Sequence, residues 1–151
     1  MIMTTEKVAV VTGAGSGLGR LITIALADHG WYVVAAGRRL ELLEDTVGLA
    51  LPEMVLPVQA DVTDEESVAA LFSTVRDRLG RLDLLVNNAG TGAPAGAVDE
   101  VTPEGWQSIV ATNLTGSFLC AQHAFAMMRA QRPMGGRIIN NGRSEEHTSE
   151  L

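Results

Sequence analysis

A cluster of glycines near the start of the chain has the spacing that most directly indicates chemistry. Of the 16 glycines among 151 residues, four fall at alternate positions from Gly13 to Gly19. They follow the short apolar run 7–12, typical of a buried strand, and precede the apolar helical stripe that begins at residue 18. Backbone amides at the start of a helix face anions, and glycine allows a pyrophosphate to approach the backbone closely. The segment therefore predicts a site for the phosphates of a nucleotide.

The spacing of these glycines departs from the usual dinucleotide fingerprint, Gly-x-Gly-x-x-Gly. Leu18 and Arg20 stand where its third glycine would fall. The pattern that fits is Thr-Gly-x-x-x-Gly-x-Gly, in which Gly13, Gly17 and Gly19 are the fixed positions. The remaining glycine of the cluster is not required by this pattern.

The residues that follow the second predicted strand indicate which dinucleotide such a turn would bind. An acid about 20 residues beyond the glycine turn would bind the ribose 2′-hydroxyl, whereas arginine there accepts a 2′-phosphate. Gly37 occupies the place of the acid, and Arg38 and Arg39 follow it. The sequence therefore favours NADP(H), with Arg38 paired to the 2′-phosphate. The alternative is that both arginines form a solvated helix start and that the cofactor is NAD(H).

The elements that position these residues alternate along the chain. Strands are predicted at 7–12, 31–36, 54–60, 82–87 and 137–140, with helices between them. Thr63 to Glu66 reads as a capping box in which Thr63 accepts from the Glu66 amide. Thr102-Pro103 opens a long helix that runs to about residue 130. This alternation predicts an α/β fold, a doubly wound parallel sheet that is incomplete at about five strands.

The glycine pattern resembles that of the short-chain dehydrogenase/reductase family, and further motifs over residues 7–142 agree with it in order. These are Asp61-Val62, Asn87-Asn88-Ala89-Gly90, and the asparagine of Thr112-Asn113-Leu114. The resemblance implies a Rossmann fold and an NAD(P)-dependent enzyme that interconverts an alcohol and a carbonyl in a small-molecule substrate. It also implies a homo-oligomer when the protein is complete.

The resemblance assigns Asn113 to the catalytic proton relay. Together with Arg38, the predicted cofactor-binding residues are Gly13, Ser16, Gly17, Leu18, Gly19, Asp61, Val62, Asn87, Asn88, Ala89 and Gly90.

Some of these residues have a plainer structural interpretation. Asp61 lies beside a helix cap and could be a turn residue only. Asn87 and Asn88 could satisfy backbone groups of neighbouring strands as well as border the cofactor. Asn113 could be a hydrogen-bonded amide in the core.

The proton donor of the family has no counterpart in this chain. The family uses the tyrosine of a Tyr-x-x-x-Lys pair and a serine just after the fifth strand. Here the only tyrosine is Tyr32, the only lysine is Lys7, and the serine position is Arg143, with Ser144 one residue out of register. We therefore expect the chain to be inactive as it stands. The alternative function is an NAD(P)-binding sensor or regulatory module without chemistry.

Residues 143–151 show neither a strand nor a helix pattern. They resemble a translated sequencing adapter, because AGA TCG GAA GAG CAC ACG TCT GAA CTC encodes these nine residues in order. We expect a dinucleotide-binding domain over residues 1–142, truncated before the catalytic pair, and a non-native tail over 143–151.

Composition excludes several other classes of function. The excess of 18 acidic over 11 basic side chains, a net charge of −7, argues against nucleic acid as a partner. The sequence shows neither a secretory leader nor a membrane-spanning run, so we expect a cytoplasmic protein with no membrane partner. Its one cysteine, Cys120, cannot form an internal disulfide, and no spacing suggests a metal site. Cys120 and His123 share a helix face, where packing is favoured over a nucleophilic pair.

Overall fold

The central feature of the computed structural model, which describes residues 7–92 and 97–142, is a parallel β-sheet. Its five strands run in the order β3-β2-β1-β4-β5. They are β1 (Val8–Thr12), β2 (Tyr32–Gly37), β3 (Val55–Gln59), β4 (Leu84–Asn87) and β5 (Arg137–Asn140). The strand order reverses between β1 and β4, which confirms the predicted doubly wound fold. Ligands of such sheets bind at the carboxyl ends of the strands beside this reversal.

The helices cover both faces of the sheet. They are α1 (Gly17–Asp28), α2 (Leu40–Leu49), α3 (Glu65–Leu79), α4 (Pro103–Val110) and α5 (Gly116–Ala130). As predicted, the side chain of Thr102 caps α4 by accepting from the Gly105 amide at 3.1 Å. Within 7–92 and 97–142 no helix is long and apolar enough to cross a membrane.

The long helix predicted after Thr102 contains one turn of π-helix. This turn, Ala111–Thr115, joins α4 to α5 without a break, because Val110 and Gly116 on either side keep helical dihedral angles. The helix is therefore as long as predicted, but its period changes in the middle. Single π-turns inside α-helices are rare and occur often at functional sites.

Side chains that alternate along β1 build two apolar layers. Val8 and Val10 pack with α3 and α5, whereas Ala9 and Val11 pack with α1 and α2. The predicted inner face of α3 is confirmed, since the five residues predicted to form it are each at most 4% exposed: Val68, Leu71, Phe72, Val75 and Leu79. A strand buried on both faces holds its carboxyl end, and the loop that follows, in a fixed position.

The predicted cap of α3 is wrong by one residue. The N-cap is Asp64, whose Oδ1 accepts from the amides of Glu66 at 2.9 Å and Ser67 at 3.2 Å. Thr63 instead donates its hydroxyl to Asp61 Oδ1 at 2.7 Å. Asp64 is the cap because its carboxylate interacts more favourably than a hydroxyl with the positive end of the helix. The Thr63 hydroxyl instead donates to a charged acceptor, the carboxylate of Asp61.

At the amino edge of the sheet, an ion pair joins the starts of three strands. Arg81 donates to both carboxylate oxygens of Asp83, at 2.9 and 2.6 Å, and the Val8 amide donates to Asp83 at 2.9 Å. The Asp83 carbonyl accepts from the Arg137 amide of β5 at 2.9 Å. Partial burial raises the pKa of the Asp83 carboxyl, but these hydrogen bonds and the charges of Arg81 and Lys7 outweigh it and hold that pKa below its ordinary value.

Replacing Asp83 with asparagine should lower the free energy of unfolding by about 2 kcal/mol at pH 7, because charged hydrogen bonds are lost at a site only 15% exposed. A carboxyl whose pKa is lower in the folded chain stabilises fully above its unfolded pKa, about 4, and loses this effect as the pH falls through the folded pKa. The difference between Asp83→Asn and wild type in urea unfolding should therefore shrink below about pH 4.

The control is Asp77→Asn, the same substitution in the Arg76–Asp77 pair, where the aspartate is 67% exposed. Exposed pairs contribute little, so its unfolding curve should match wild type. An equal loss in both variants would show that the Asp83 network does not stabilise the sheet.

Candidate functional site

The glycine turn between β1 and α1 is shaped by close backbone contacts. A methyl group on Gly19 would overlap the carbonyl oxygen of Gly13 and lie 2.5 Å from Nδ2 of Asn88. One on Gly13 would lie 3.0 Å from Cα of Ala89, and Gly13 also has a φ of +66°. Gly17 has a φ of +51°, but the space that its side chain would occupy is open. Gly13 and Gly19 therefore let the turn pack against the end of β4, while Gly17 leaves room beside the start of α1.

The first turn of α1 has backbone amides available for an anion. Ser16 is the N-cap but makes no side-chain cap hydrogen bond, and the first turn holds no acidic residue. Within residues 7–92 and 97–142, no hydrogen bond uses the amides of Gly17, Leu18 or Gly19. Ser16, Gly17 and Leu18 are exposed. This arrangement fits a bound phosphate group, since the amides and the helix dipole both favour negative charge.

Asn88 and Thr12 join the turn to the end of β4. The Thr12 hydroxyl accepts from the amides of Asn88 and Ala89, each at 3.0 Å. Asn88 Nδ2 donates to the carbonyls of Thr12 at 3.1 Å and Gly13 at 3.4 Å. Asn87 is 3% exposed, and its Nδ2 donates to the Ser117 carbonyl at 3.1 Å. Both asparagines therefore hold neighbouring backbone in place, as their plainer interpretation predicts.

A second set of contacts, which the sequence reading missed, packs the turn against α2. A methyl group on Gly15 would lie 3.0 Å from Cβ of Leu42, so this glycine permits a close approach of α2. Arg20 donates to the Gly15 carbonyl at 2.6 Å and to Thr46 Oγ1 at 3.1 Å. Thr46 is buried and donates to the Ala14 carbonyl at 3.0 Å. The only signal in the sequence for this packing was the presence of Gly15, a glycine that the motif does not require.

A cavity of about 160 Å³ lies beside the turn. Six of the predicted cofactor-binding residues line it: Gly13, Arg38, Asp61, Val62, Ala89 and Gly90. Gly37 and Arg39 line it as well, together with residues that the sequence reading did not single out, among them Leu42, Ala60 and Thr112. The structure thus brings the glycine turn, the end of β2 and the loop after β3 to one site, as the parallel sheet requires.

Asp61 presents an ionised carboxylate to this cavity. Partial burial raises the pKa of its carboxyl, but the Thr63 amide and hydroxyl, bonded at 2.9 and 2.7 Å, and the charge of Arg38 outweigh it. The pKa of Asp61 is therefore below its ordinary value. The Asp61 amide donates to Ser67 Oγ at 2.9 Å, which fixes the loop to α3. Asp61 is thus both a turn residue and an acceptor that faces the cavity.

A second cavity, of about 460 Å³, continues the cleft past Ala89 and Gly90, which line both cavities. Asn88 and Asn113 also line it, and so do five residues that the sequence did not predict there: Trp106, Ile109, Ser117, Asn141 and Gly142. Trp106 is 61% exposed in the part of the chain that the structure describes. Of the predicted site residues, Ser16, Gly17, Leu18, Gly19 and Asn87 line neither cavity.

Asn113 lies in the π-turn and faces the loop after β4. Its Oδ1 accepts from the Thr91 amide at 2.8 Å, and its Nδ2 donates to the Thr91 carbonyl at 2.9 Å. The Asn113 carbonyl accepts from the Ser117 hydroxyl at 3.0 Å. Among the described residues Asn113 is exposed, which does not fit the alternative of a core amide. Asn113 holds the wall of the larger cavity, and its catalytic role stays a prediction.

The short chain dehydrogenase family model matches residues 7–144 of this chain. The chain belongs to the short-chain dehydrogenase family. The chain is 36% identical over 138 residues to a 3beta-hydroxysteroid dehydrogenase of Mediterraneibacter gnavus, and the match covers 89% of the chain and 49% of that protein. The chain thus spans about half the length of the curated relatives it matches.

Solved structures agree with this assignment. This chain resembles an actinorhodin polyketide ketoreductase with NADPH at a TM-score of 0.82 and 35% identity, over 91% of this chain and 53% of that one. It resembles a 3-ketoacyl-(acyl-carrier-protein) reductase from Brucella melitensis, complexed with NADH, at a TM-score of 0.78 and 33% identity, over 83% and 52%. The Rossmann-like fold and the family prediction are therefore confirmed.

The only tyrosine and the only lysine of this sequence lie far from the cleft. Tyr32 begins β2, and its amide donates to the carbonyl of Lys7, which precedes β1, at 2.9 Å. Both residues are therefore at the amino edge of the sheet, opposite the glycine turn. Neither is placed to donate a proton at the carboxyl edge.

Cys120 and His123 are packing residues. The Cys120 side chain is fully buried in the layer between the sheet and α5, and burial raises the pKa of its thiol to about 12. The His123 ring stacks on Phe72 with ring centroids 5.5 Å apart. A thiol with this pKa is protonated at neutral pH and is not a nucleophile.

Proposed function

We propose that the complete protein is an NAD(P)-dependent oxidoreductase that interconverts an alcohol and a carbonyl, and that this chain forms its dinucleotide-binding cleft. The observation that carries the proposal is the glycine turn. Gly13 and Gly19 permit a backbone packing that no other residue allows, and the amides at the start of α1 are unused among the described residues. The family and fold support the same conclusion.

The residues of the smaller cavity fit the adenosine half of the dinucleotide. The amides of Gly17, Leu18 and Gly19 would bind the pyrophosphate, and Asp61 and Val62 would border the adenine. When bound, the cofactor supplies the hydride acceptor or donor.

Arg38, which lines this cavity, would accept the 2′-phosphate of NADP(H), and Gly37 places no carboxylate there. We therefore propose a preference for NADP(H), with NAD(H) as the alternative. The related structures hold either NADPH or NADH.

The larger cavity fits the reacting end of the cofactor and the substrate. Its lining among the described residues contains amide, hydroxyl and apolar side chains and no charged one. An uncharged portion of an alcohol or carbonyl compound suits such a surface, since it needs no ion-pair partner. Asn113 would hold the wall of this compartment through Thr91. We propose that the proton donor of the complete protein is the tyrosine of a Tyr-x-x-x-Lys pair, as the family resemblance implies.

The proposal is tested by titrating this chain with NADPH and NADH in a calorimeter and then assaying both directions with a panel of uncharged ketones and alcohols. We expect binding of both cofactors, tighter for NADPH, and no turnover. Failure to bind either cofactor would contradict the proposal. The sensor alternative gains support if the gene, read on past residue 142, encodes no Tyr-x-x-x-Lys pair.

Three further proposals concern the protein around the cleft. We propose that the native domain continues from Gly142 into a segment other than 143–151, which the codons of the gene will decide.

The large exposed side chains of Leu114, Phe118 and Phe125 recur along one helix, so we propose a homo-oligomer, to be measured by sedimentation of the complete protein. We propose the cytoplasm as its location, to be measured by cell fractionation.

A further inference from the structure

We propose that Asn141 is a positioning residue for the dinucleotide, and that it acts by orienting Asn88. The inference rests on the proposed cofactor binding and adds a residue that no motif contains. Asn141 follows β5, is exposed, and lines the larger cavity.

Two pairs of asparagines join the ends of β4 and β5. Asn87 is in register with Asn140, and its Nδ2 donates to Asn140 Oδ1 at 2.9 Å. One residue further along, Asn141 Nδ2 donates to Asn88 Oδ1 at 3.0 Å. The Asn141 amide also donates to the Asn87 carbonyl at 2.9 Å, so the backbone of Asn141 is held as well.

The orientation of the Asn88 amide is fixed by its surroundings. Its Nδ2 faces two carbonyls, those of Thr12 and Gly13, so this end must be the donor. Its Oδ1 must then point away from the turn, where Asn141 supplies a donor. A reversed Asn88 would set its oxygen against both carbonyls. Asn141 therefore stabilises the one orientation in which Asn88 holds the glycine turn.

The contact continues from Asn88 to the helix that would bind the phosphates. The Gly13 carbonyl that accepts from Asn88 is the atom that excludes any side chain at Gly19. A shift of Asn88 would therefore displace the Gly13 carbonyl and, with it, the start of α1 at Gly19. Through Asn88, Gly13 and Gly19, Asn141 links the wall of the larger cavity to the amides that would bind the phosphates.

The test is the affinity of this chain for NADPH, measured by calorimetry. One hydrogen bond of this kind corresponds to roughly fivefold to tenfold in the dissociation constant, and we expect Asn141→Ala to weaken binding by this factor. Asn141→Asp should weaken binding further, because its carboxylate faces Asn88 Oδ1 without a proton to donate. The control is Gln122→Glu, which adds the same charge at an exposed position of α5 that lines neither cavity and should leave the affinity unchanged.

A double-mutant cycle and an amide-exchange measurement separate positioning from a general structural effect. In an Asn88→Ala background, Asn141→Ala should have no further effect on binding. In the chain without cofactor, Asn141→Ala should speed hydrogen exchange at the Asn88 and Ala89 amides several-fold while leaving α3 unchanged. Additive effects in the cycle, or unchanged exchange and affinity in Asn141→Ala, would overturn the inference. If wild type binds neither cofactor, the proposed function fails, and exchange alone decides whether Asn141 orients the turn.

Discussion

Replacing Gly19 with alanine is expected to abolish dinucleotide binding and to lower the free energy of unfolding by about 2–3 kcal/mol. The added methyl group would overlap the Gly13 carbonyl oxygen and lie 2.5 Å from Nδ2 of Asn88. The clash is with backbone, so the start of α1 must move away from β4. Moving it displaces the amides that would bind the pyrophosphate. Calorimetric titration with NADPH and urea unfolding measure the two effects.

The matched control is Gly48→Ala, the same substitution inside α2. Nothing lies within 4 Å of the added methyl group there. Alanine is the better helix former by about 0.5–1 kcal/mol, so this variant should bind like wild type and unfold at slightly higher urea. Unimpaired binding by Gly19→Ala would show that the turn does not form the proposed phosphate site.

Introducing aspartate at Gly37 is expected to reverse the cofactor preference. Gly37 and Arg38 line the cavity where we place the adenosine ribose, and a side chain at Gly37 would meet only the flexible end of Leu43, at 3.3 Å. A carboxylate there repels the 2′-phosphate and accepts from the 2′-hydroxyl. We expect the NADPH affinity to fall by about 100-fold, or roughly 3 kcal/mol, and the NADH affinity to rise.

The control for this substitution is Gly37→Asn, which has the same shape without the charge. It should reduce NADPH affinity much less than Gly37→Asp, since it lacks the repulsion. Arg38→Ala should weaken NADPH binding and leave NADH binding nearly unchanged. The assignment of the 2′-phosphate to Arg38 would be wrong if Gly37→Asp lowered the affinity for both cofactors equally. It would also be wrong if wild type bound NADH more tightly than NADPH.

Local patterns were sufficient to predict the strands, the helices and the inner face of α3. Apolar runs in β1 and the helical stripe in α3 depend on burial against a neighbouring layer, and any sheet of this class supplies such layers. The boundaries differ by one or two residues because the ends depend on individual hydrogen bonds. The cap of α3 shows this, since Asp64 and Thr63 compete for the same amides and a contact with Asp61 decides between them.

Features that depend on distant contacts could not be read from the sequence. The bond between Asn141 and Asn88 joins residues 53 positions apart, and nothing near either residue indicates its partner. The need for Gly15 arises only when α2 packs against the turn through Leu42. The position of Gly13 and Asp61 at the smaller cavity could be predicted, because both belong to family motifs whose spacing already reflects contacts of this kind.

The π-turn in the long helix has a consequence for how this segment tolerates insertions and deletions. Ala111–Thr115 takes up one residue more than a regular turn. Because a π-turn fits this extra residue into nearly one turn of helix, removing it would leave a regular helix with the faces of α4 and α5 close to their present alignment. A residue removed from a helix without such a turn would instead rotate the two parts by about 100°. Ala111–Thr115 is therefore the place between Thr102 and Gly116 where the loss of one residue is best tolerated.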